Sequence, residues 1–131
     1  MSAVFVDTSA IIALLTRTDR AHSAAVAAFE GLRSRRAKLV TTSYVLVESY
    51  ALIDRRLGRE ALTAFRTSFA PLLGVIWVDA GLHERGLDRL ESNPTGLSLV
   101  DAVSFEAMRA HRIVEALAFD RHFADQGLGL R

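Results

Sequence analysis

The chain has 131 residues, of which half are hydrophobic and 24% are charged, and its formal net charge is +1. This length and composition suit one globular domain over residues 1–131 and exclude a disordered protein. Because there is no cysteine, a disulfide framework and thiolate chemistry are also excluded. The longest apolar helical stretch, residues 10–15, is too short to cross a bilayer, and the N-terminus lacks the basic segment of a signal peptide. We therefore expect a cytoplasmic protein without a membrane partner.

Apolar runs and helical periodicity alternate through the first half of the chain. Residues 3–6 form an apolar run typical of a strand buried on both faces, and Ser9 is placed to cap the helix that follows. The next predicted elements, in chain order, are a helix over 20–35, a strand over 38–41, and helices over 43–57 and 59–69. Gly58 and Pro71 are expected to end the last two helices.

The second half continues this alternation and predicts a parallel sheet. Its predicted elements are a strand over 73–78, a helix over 79–92, a helix over 98–111, a strand over 116–119 and a short edge strand over 127–131. Asp79 and Ser98 are expected to cap the two helices, a loop at 93–96 separates them, and Trp77 is expected in the core. Strands joined by helices pair through right-handed crossovers. The chain is therefore expected to adopt an α/β fold, with a central parallel sheet of about four to five strands flanked by helices on both faces.

Four acidic residues lie where an otherwise apolar element should carry no charge: Asp7, Glu48, Asp101 and Asp120. Asp7 and Asp120 directly follow apolar strands, whereas Glu48 and Asp101 lie on the apolar stripes of predicted helices. A carboxylate in such a place is strongly destabilising unless it is paired, protonated or bound to a metal. Four of them together predict one shared site.

The predicted topology brings these acids to one edge of the sheet. Ligands of open parallel sheets bind beyond the carboxyl ends of the strands, where Asp7 and Asp120 lie, and both acidic helices begin near that edge. Neighbouring carboxylates repel each other, and a divalent cation removes that repulsion. Oxygen ligands without cysteine favour Mg²⁺, with Mn²⁺ as a plausible substitute. Such a site suits hydrolysis of a phosphodiester by metal-activated water.

Each acid also has a purely structural interpretation. Asp7 could cap the first helix, Asp101 completes a Ser-x-x-Asp capping pattern, and Asp120 could be a turn residue. Glu48 lies within a helix, where the structural alternative is an ion pair with arginine. All four alternatives would have to hold at once, which favours a shared site. His122 follows Asp120 closely enough to suggest a transition-metal pair, but we interpret it as a surface side chain.

Basic residues concentrate in the first half of the chain. Residues 1–70 hold ten basic and six acidic side chains, a net +4, whereas residues 71–131 hold six basic and nine acidic, a net −3. Seven of the basic residues could form a rim for nucleic acid: Arg33, Arg35, Arg36, Lys38, Arg55, Arg56 and Arg59. We favour a solvated surface without a binding role, because no stretch is basic enough to stand alone as a binding motif.

With these residues identified, the chain resembles the PIN-domain family, most closely the VapC-type toxins of bacterial and archaeal toxin–antitoxin pairs. The motifs that carry the resemblance are Val-Asp7-Thr-Ser, Thr-Ser-Tyr-Val-Leu-Val-Glu48, Leu-Ser-Leu-Val-Asp101-Ala and Ala-Phe-Asp120-Arg-His-Phe. Their order and spacing are more specific than any one of them, and the resemblance covers essentially the full length.

The resemblance implies a Mg²⁺-dependent endoribonuclease that acts as the toxin of a type II, VapBC-like pair. It implies that Asp7 and Asp101 are the principal metal ligands and that Glu48 and Asp120 complete the catalytic quartet, directly or through water. The hydroxyl of Thr8 either orients a ligand or begins the helix. The resemblance also implies a homodimer and a cognate antitoxin whose C-terminal segment blocks the acidic site.

Three alternatives compete with a toxin ribonuclease. A PIN nuclease for RNA maturation or decay would use the same chemistry without an antitoxin, and the bare domain favours the toxin. A non-catalytic PIN-like interaction module would have lost at least one acid, and all four are present. An aspartyl-phosphate enzyme would need a second acid where Ser9 stands. The expected reaction is hydrolysis of RNA that leaves a 5′-phosphate and a 3′-hydroxyl.

Overall fold

The computed structural model describes residues 2–93 and 96–130. In this part of the chain the strands are β1 (Ala3–Val6), β2 (Lys38–Thr42), β3 (Gly74–Ile76) and β4 (Glu115–Leu117). They pair in parallel in the order β3-β2-β1-β4, so that β1 has a neighbour on each side. The predicted α/β fold with a central parallel sheet is confirmed.

Helices connect the strands. Their bounds are α1 (Thr8–Leu15), α2 (His22–Ser34), α3 (Ser43–Leu57), α4 (Arg59–Ala64), α5 (Ala80–Glu91), α6 (Leu99–Ala110) and α7 (Arg121–Asp125). The predicted caps Gly58, Asp79 and Ser98 are confirmed for α3, α5 and α6. None of the helices among the described residues combines the length and the apolar character that a bilayer span requires.

The prediction that Ser9 caps the first helix is wrong. α1 begins at Thr8, and its N-cap is Asp7, whose side chain accepts the N–H of Ser9 at 3.1 Å. Asp7 is still extended after β1 ends at Val6, and this is the backbone conformation from which a side-chain oxygen reaches back to an unpaired helix N–H.

The helix predicted over 59–69 is α-helical only as far as Ala64. A π-helical turn over Phe65–Phe69 and a 3-10 turn over Ala70–Leu72 follow it, and the N–H of Ala70 donates to the carbonyl of Phe65. Pro71 lies in the second turn, and because proline has no N–H and its ring crowds the preceding turn, a regular α-helix does not continue through it.

Two further expectations differ from the structure. β3 ends at Ile76, so Trp77, which was expected in the core, is 74% exposed. No strand forms over the described residues 127–130, although the N–H of Ala116 donates to the carbonyl of Gly129 at 3.4 Å. Pro94 and Thr95 of the predicted loop lie outside the described residues.

An aromatic contact in the core fixes the position of α7. Val4, Phe5 and Val6 of β1 are fully buried. The ring of Phe123 in α7 lies 6.2 Å from that of Phe5 and 4.8 Å from that of Phe105 in α6, centroid to centroid. Burying such a ring stabilises the fold by about 1.5–3 kcal/mol. The turn between β4 and α7 is therefore held against β1 and α6.

Candidate active site

The structure brings all four predicted acids to one cavity of about 600 Å³ at the carboxyl edge of the sheet. Asp7 lies between β1 and α1, and Asp120 lies before α7, where its Oδ1 accepts the N–H of His122 at 2.8 Å. Asp101 is in the first turn of α6, and Glu48 is in the second turn of α3. The parallel topology thus places residues 113 positions apart along the chain, Asp7 and Asp120, around the same space.

Capping and site roles do not exclude each other for Asp7. Its Oδ2 accepts hydrogen bonds from the N–H and the hydroxyl of Ser9, at 3.1 and 2.6 Å. Its Oδ1 is buried and has no hydrogen-bond partner among the described residues. A buried carboxylate oxygen without a partner is costly, so one half of this side chain stabilises α1 while the other half remains available for a ligand.

Burial raises the pKa of Asp7 from 3.8 to about 6. The hydrogen bonds from Ser9 oppose this shift, and the negative charges of Asp101 and Asp120 add to it. A carboxyl group that is only 3% exposed therefore holds a proton more tightly than usual as long as no cation lies beside it.

Burial also raises the pKa of Asp101, with further contributions from the charges of Asp120 and Glu48. The acids are thus close enough to influence one another electrostatically. Among the described residues, no ion pair involves any of the four: the ion pairs join Arg35 to Glu115, Arg59 to Asp54 and Arg89 to Glu106. The alternative of an arginine paired with Glu48 is therefore not realised.

The donor atoms at this site fit a divalent cation. Asp101, Asp120 and His122 each offer a ligand atom, and these atoms lie within 4.8 Å of one another. Asp7, whose buried Oδ1 has no partner among the described residues, lines the same cavity. A cation would offset both the repulsion between the acids and the cost of that buried oxygen. Such an oxygen-rich set of donors suits a hard divalent cation.

Comparison with known proteins decides the family. A model of the PIN domain matches residues 4–127. The chain is also 34% identical to the 23S rRNA-specific endonuclease VapC20 of Mycobacterium tuberculosis, over 95% of this chain and 94% of that protein. The chain belongs to the PIN-domain family. The resemblance inferred from the four acidic motifs is confirmed, and among PIN domains the chain is VapC-like.

Solved structures agree with this assignment. The crystal structure of VapC20 from Mycobacterium tuberculosis, described as a sarcin-ricin loop cleaving toxin, superposes with a TM-score of 0.83 at 32% identity and covers 96% of each chain. FitAcB from Neisseria gonorrhoeae gives 0.71 at 13% identity, covering 97% of this chain and 95% of that one. A toxin-antitoxin complex from Klebsiella pneumoniae gives 0.66 at 16%, covering 93% and 91%. The last two show the fold alone.

Ser9 contributes to the site of this PIN domain, although its sequence context indicated only a helix cap. Its hydroxyl donates to Oδ2 of Asp7 at 2.6 Å and accepts the N–H of Phe119 at 2.8 Å. The serine therefore ties the first acid to the turn that carries Asp120. Sequence offers no signal for this contact, because the partner of the hydroxyl lies 110 residues away.

Thr8 contacts α3 rather than an acid. Its buried hydroxyl donates to the carbonyl of Val45 at 3.5 Å and accepts the hydroxyl of Ser49 at 3.2 Å. Both partners belong to the segment of α3 that carries Glu48. Thr8 lines the cavity and joins α1 to the segment of α3 that carries Glu48.

His122, interpreted from sequence as a surface side chain, is half-buried and lies among the acids of the PIN domain.

The seven basic residues that could form a nucleic-acid rim do not all lie at the acidic cavity. Of the seven, only Arg56 lines the acidic cavity, together with Arg20, which was not among them. Lys38 begins β2, at the opposite end of the sheet from the acids. Six of these seven basic residues therefore do not line the acidic cavity.

Proposed function

We propose that this PIN domain is a metal-dependent endoribonuclease that acts as the toxin of a VapBC-like toxin–antitoxin pair and cuts ribosomal RNA. One observation carries the proposal: four acids from four separate segments line one cavity, with a buried carboxylate oxygen that has no partner among the described residues. The 34% identity to an endonuclease specific for 23S rRNA supports the substrate class.

Asp7, Asp101, Glu48 and Asp120 would hold the metal, directly or through water, and Mg²⁺ is the expected ion, with Mn²⁺ as a substitute. A divalent ion there supplies positive charge against the scissile phosphate and lowers the pKa of water. Ser9 keeps Oδ2 of Asp7 engaged and leaves Oδ1 without a partner among the described residues, so Oδ1 would be the atom offered to the ion. Phe123 anchors α7 and thereby positions Asp120 and His122. Water attack in line without the 2′-hydroxyl leaves a 5′-phosphate and a 3′-hydroxyl.

The proposal also includes a cognate antitoxin and a homodimer. No arginine or lysine among the described residues pairs with the four acids, so a basic side chain from a C-terminal antitoxin segment would find unpaired carboxylates in the cavity. Expression of the chain alone should arrest growth, and co-expression of its antitoxin should restore it. Light scattering of the purified protein tests the dimer.

The decisive experiment is cleavage of total bacterial RNA by purified protein with Mg²⁺ or Mn²⁺, followed by sequencing of the new ends. EDTA, Asp7→Asn and Asp101→Asn are each expected to remove the cuts while the circular dichroism spectrum stays native. Discrete metal-dependent cuts in ribosomal RNA would support the proposal. Full activity in either variant would overturn the assignment of the site, and cyclic phosphate ends would overturn the mechanism.

A further inference from the structure

We propose that Arg56 and Phe119 form a binding track for unpaired RNA beside the acids. Arg56 contacts a backbone phosphate a few nucleotides from the scissile one, and Phe119 stacks on a base. This inference rests on the proposed function and names the form of RNA that the same site accepts.

Arg56 lies on the face of α3 that borders the cavity. Glu48, Leu52 and Arg56 all line it, at a spacing of four residues along the helix. At a rise of about 1.5 Å per residue, Arg56 lies about 12 Å along the helix from Glu48, which spans only a few nucleotides of a strand. Its neighbour Arg55 is exposed and does not line the cavity.

The guanidinium of Arg56 is free to bind a ligand. Among the described residues no hydrogen bond or ion pair engages it, whereas Arg59 in the next helix is held by Asp54 at 2.8 Å. A free guanidinium at the border of an acidic site is suited to a phosphate, because its planar fork matches two phosphate oxygens.

Phe119 presents an exposed ring at the same cavity. It precedes Asp120, lines the cavity and is 40% exposed, in contrast to Phe123, which is buried in the core. Its backbone N–H donates to the hydroxyl of Ser9, so the turn that bears the ring is fixed to the segment that bears Asp7. An exposed aromatic ring on a fixed backbone is a stacking platform for a nucleic acid base.

Arg56 and Phe119 reach the cavity from different connections of the sheet. β1 carries Asp7 and lies between β2, which leads into the helix of Arg56, and β4, which leads to Phe119. A strand of RNA in this cavity would meet a cation and an aromatic ring beside the acids. Bases that are paired within a duplex cannot stack on a protein ring, so the combination selects unpaired RNA.

The test of Arg56 is the salt dependence of binding. A fluorescein-labelled, unpaired RNA oligonucleotide of mixed sequence is titrated with the Asp101→Asn protein, which should not cleave it, and anisotropy is recorded at several salt concentrations. Adding Arg56→Gln is expected to weaken binding and to reduce the slope of log K against log salt by about 0.7, the value for one phosphate contact on a single strand. Arg55→Gln is the matched control and should leave the slope unchanged. Equal slopes for the two variants would overturn the phosphate contact.

The test of Phe119 separates ring stacking from general apolarity. Phe119→Leu is expected to weaken binding of the unpaired oligonucleotide by about ten-fold, and Phe119→Tyr is expected to retain it. When the oligonucleotide is annealed to its complement, the Leu and Tyr variants should bind equally. Wild-type affinity in Phe119→Leu would overturn the stacking contact.

Failure of this inference can be told apart from failure of the proposed function. If the wild-type protein cuts RNA but both substitutions leave binding unchanged, the nuclease stands and the track is wrong. If both substitutions weaken binding but the wild-type protein never cuts RNA, the track stands and the cleavage proposal is wrong.

Discussion

The carboxyl group of Asp7 gives the stability of the metal-free protein an unusual pH dependence. Its pKa is about 6 in the folded protein, against 3.8 for an aspartate in the unfolded chain, so folding favours the protonated form. The associated stabilisation is fully present below the unfolded pKa and is lost as pH rises through the folded pKa. A difference of about two pKa units corresponds to at most about 3 kcal/mol. Asparagine in place of Asp7 cannot lose a proton and keeps an oxygen for the helix cap.

Asp7→Asn is therefore expected to be more stable than wild type at pH 7, by up to about 3 kcal/mol, with the advantage vanishing near pH 4. Urea unfolding in EDTA at a series of pH values measures this difference. Asp125→Asn, at an exposed position in α7, serves as the matched control for an Asp-to-Asn substitution. A pH-independent difference between Asp7→Asn and wild type would contradict the prediction.

The hydroxyl of Ser9 should affect both stability and the protonation of Asp7. Ser9→Ala removes a hydrogen bond to Oδ2 of Asp7 and leaves the N–H of Phe119 without its partner, which should cost about 1–3 kcal/mol. Because one of the bonds that favour the ionised carboxylate is lost, the pKa of Asp7 should rise further, and RNA cleavage should fall. Ser9→Thr keeps the hydroxyl and should restore all three quantities. An unchanged pH profile of stability in Ser9→Ala would show that the serine has only a packing role.

At the scale of the helices, the contact between α5 and α6 depends on one glycine. A Cβ at Gly86 would clash with Cγ2 of Val103 and lie 3.3 Å from its backbone, so the Val103 side chain or α6, which carries Asp101, would have to shift. We expect Gly86→Ala to destabilise the fold by about 1–3 kcal/mol, since the gain in helix propensity is smaller than the cost of overpacking. Gly31→Ala in α2 meets no atom within 4 Å and should be neutral or slightly stabilising. Urea unfolding of both variants checks this, and equal stabilities would contradict it.

The sequence predicts the elements better than their ends. The helix over 43–57 and the strand over 3–6 match α3 and β1, because periodicity and apolar runs are local signals. The exposure of Trp77 could not be predicted, since β3 is an edge strand of only three residues and what covers its end is decided by tertiary packing. The turn over Phe65–Phe69 likewise depends on how the chain accommodates Pro71 before β3.

The site shows the same contrast between local sequence signals and contacts that depend on the fold. The four acids could be identified because a charge within an apolar element is anomalous in the sequence itself. Ser9, His122 and Arg56 could not be distinguished from other polar residues, since each joins the site only through segments that are remote in the chain. Sequence thus indicates the chemistry of this PIN domain, and the fold is needed to show how that chemistry is oriented.

At the scale of the whole molecule, the acidic cavity should couple metal binding to folding. The acids come from four segments, so the unfolded chain offers no such site, and an ion that binds only the folded form stabilises it by about 2.7 kcal/mol at a hundred times its dissociation constant. We expect Mg²⁺ and Mn²⁺ to raise the melting temperature of wild type at pH 7, with KCl at matched ionic strength as the control. Asp101→Asn should melt at the same temperature with and without either ion, because a ligand is lost. If Asp101→Asn gained as much stability from the ions as wild type does, the cavity could not be the site at which they bind.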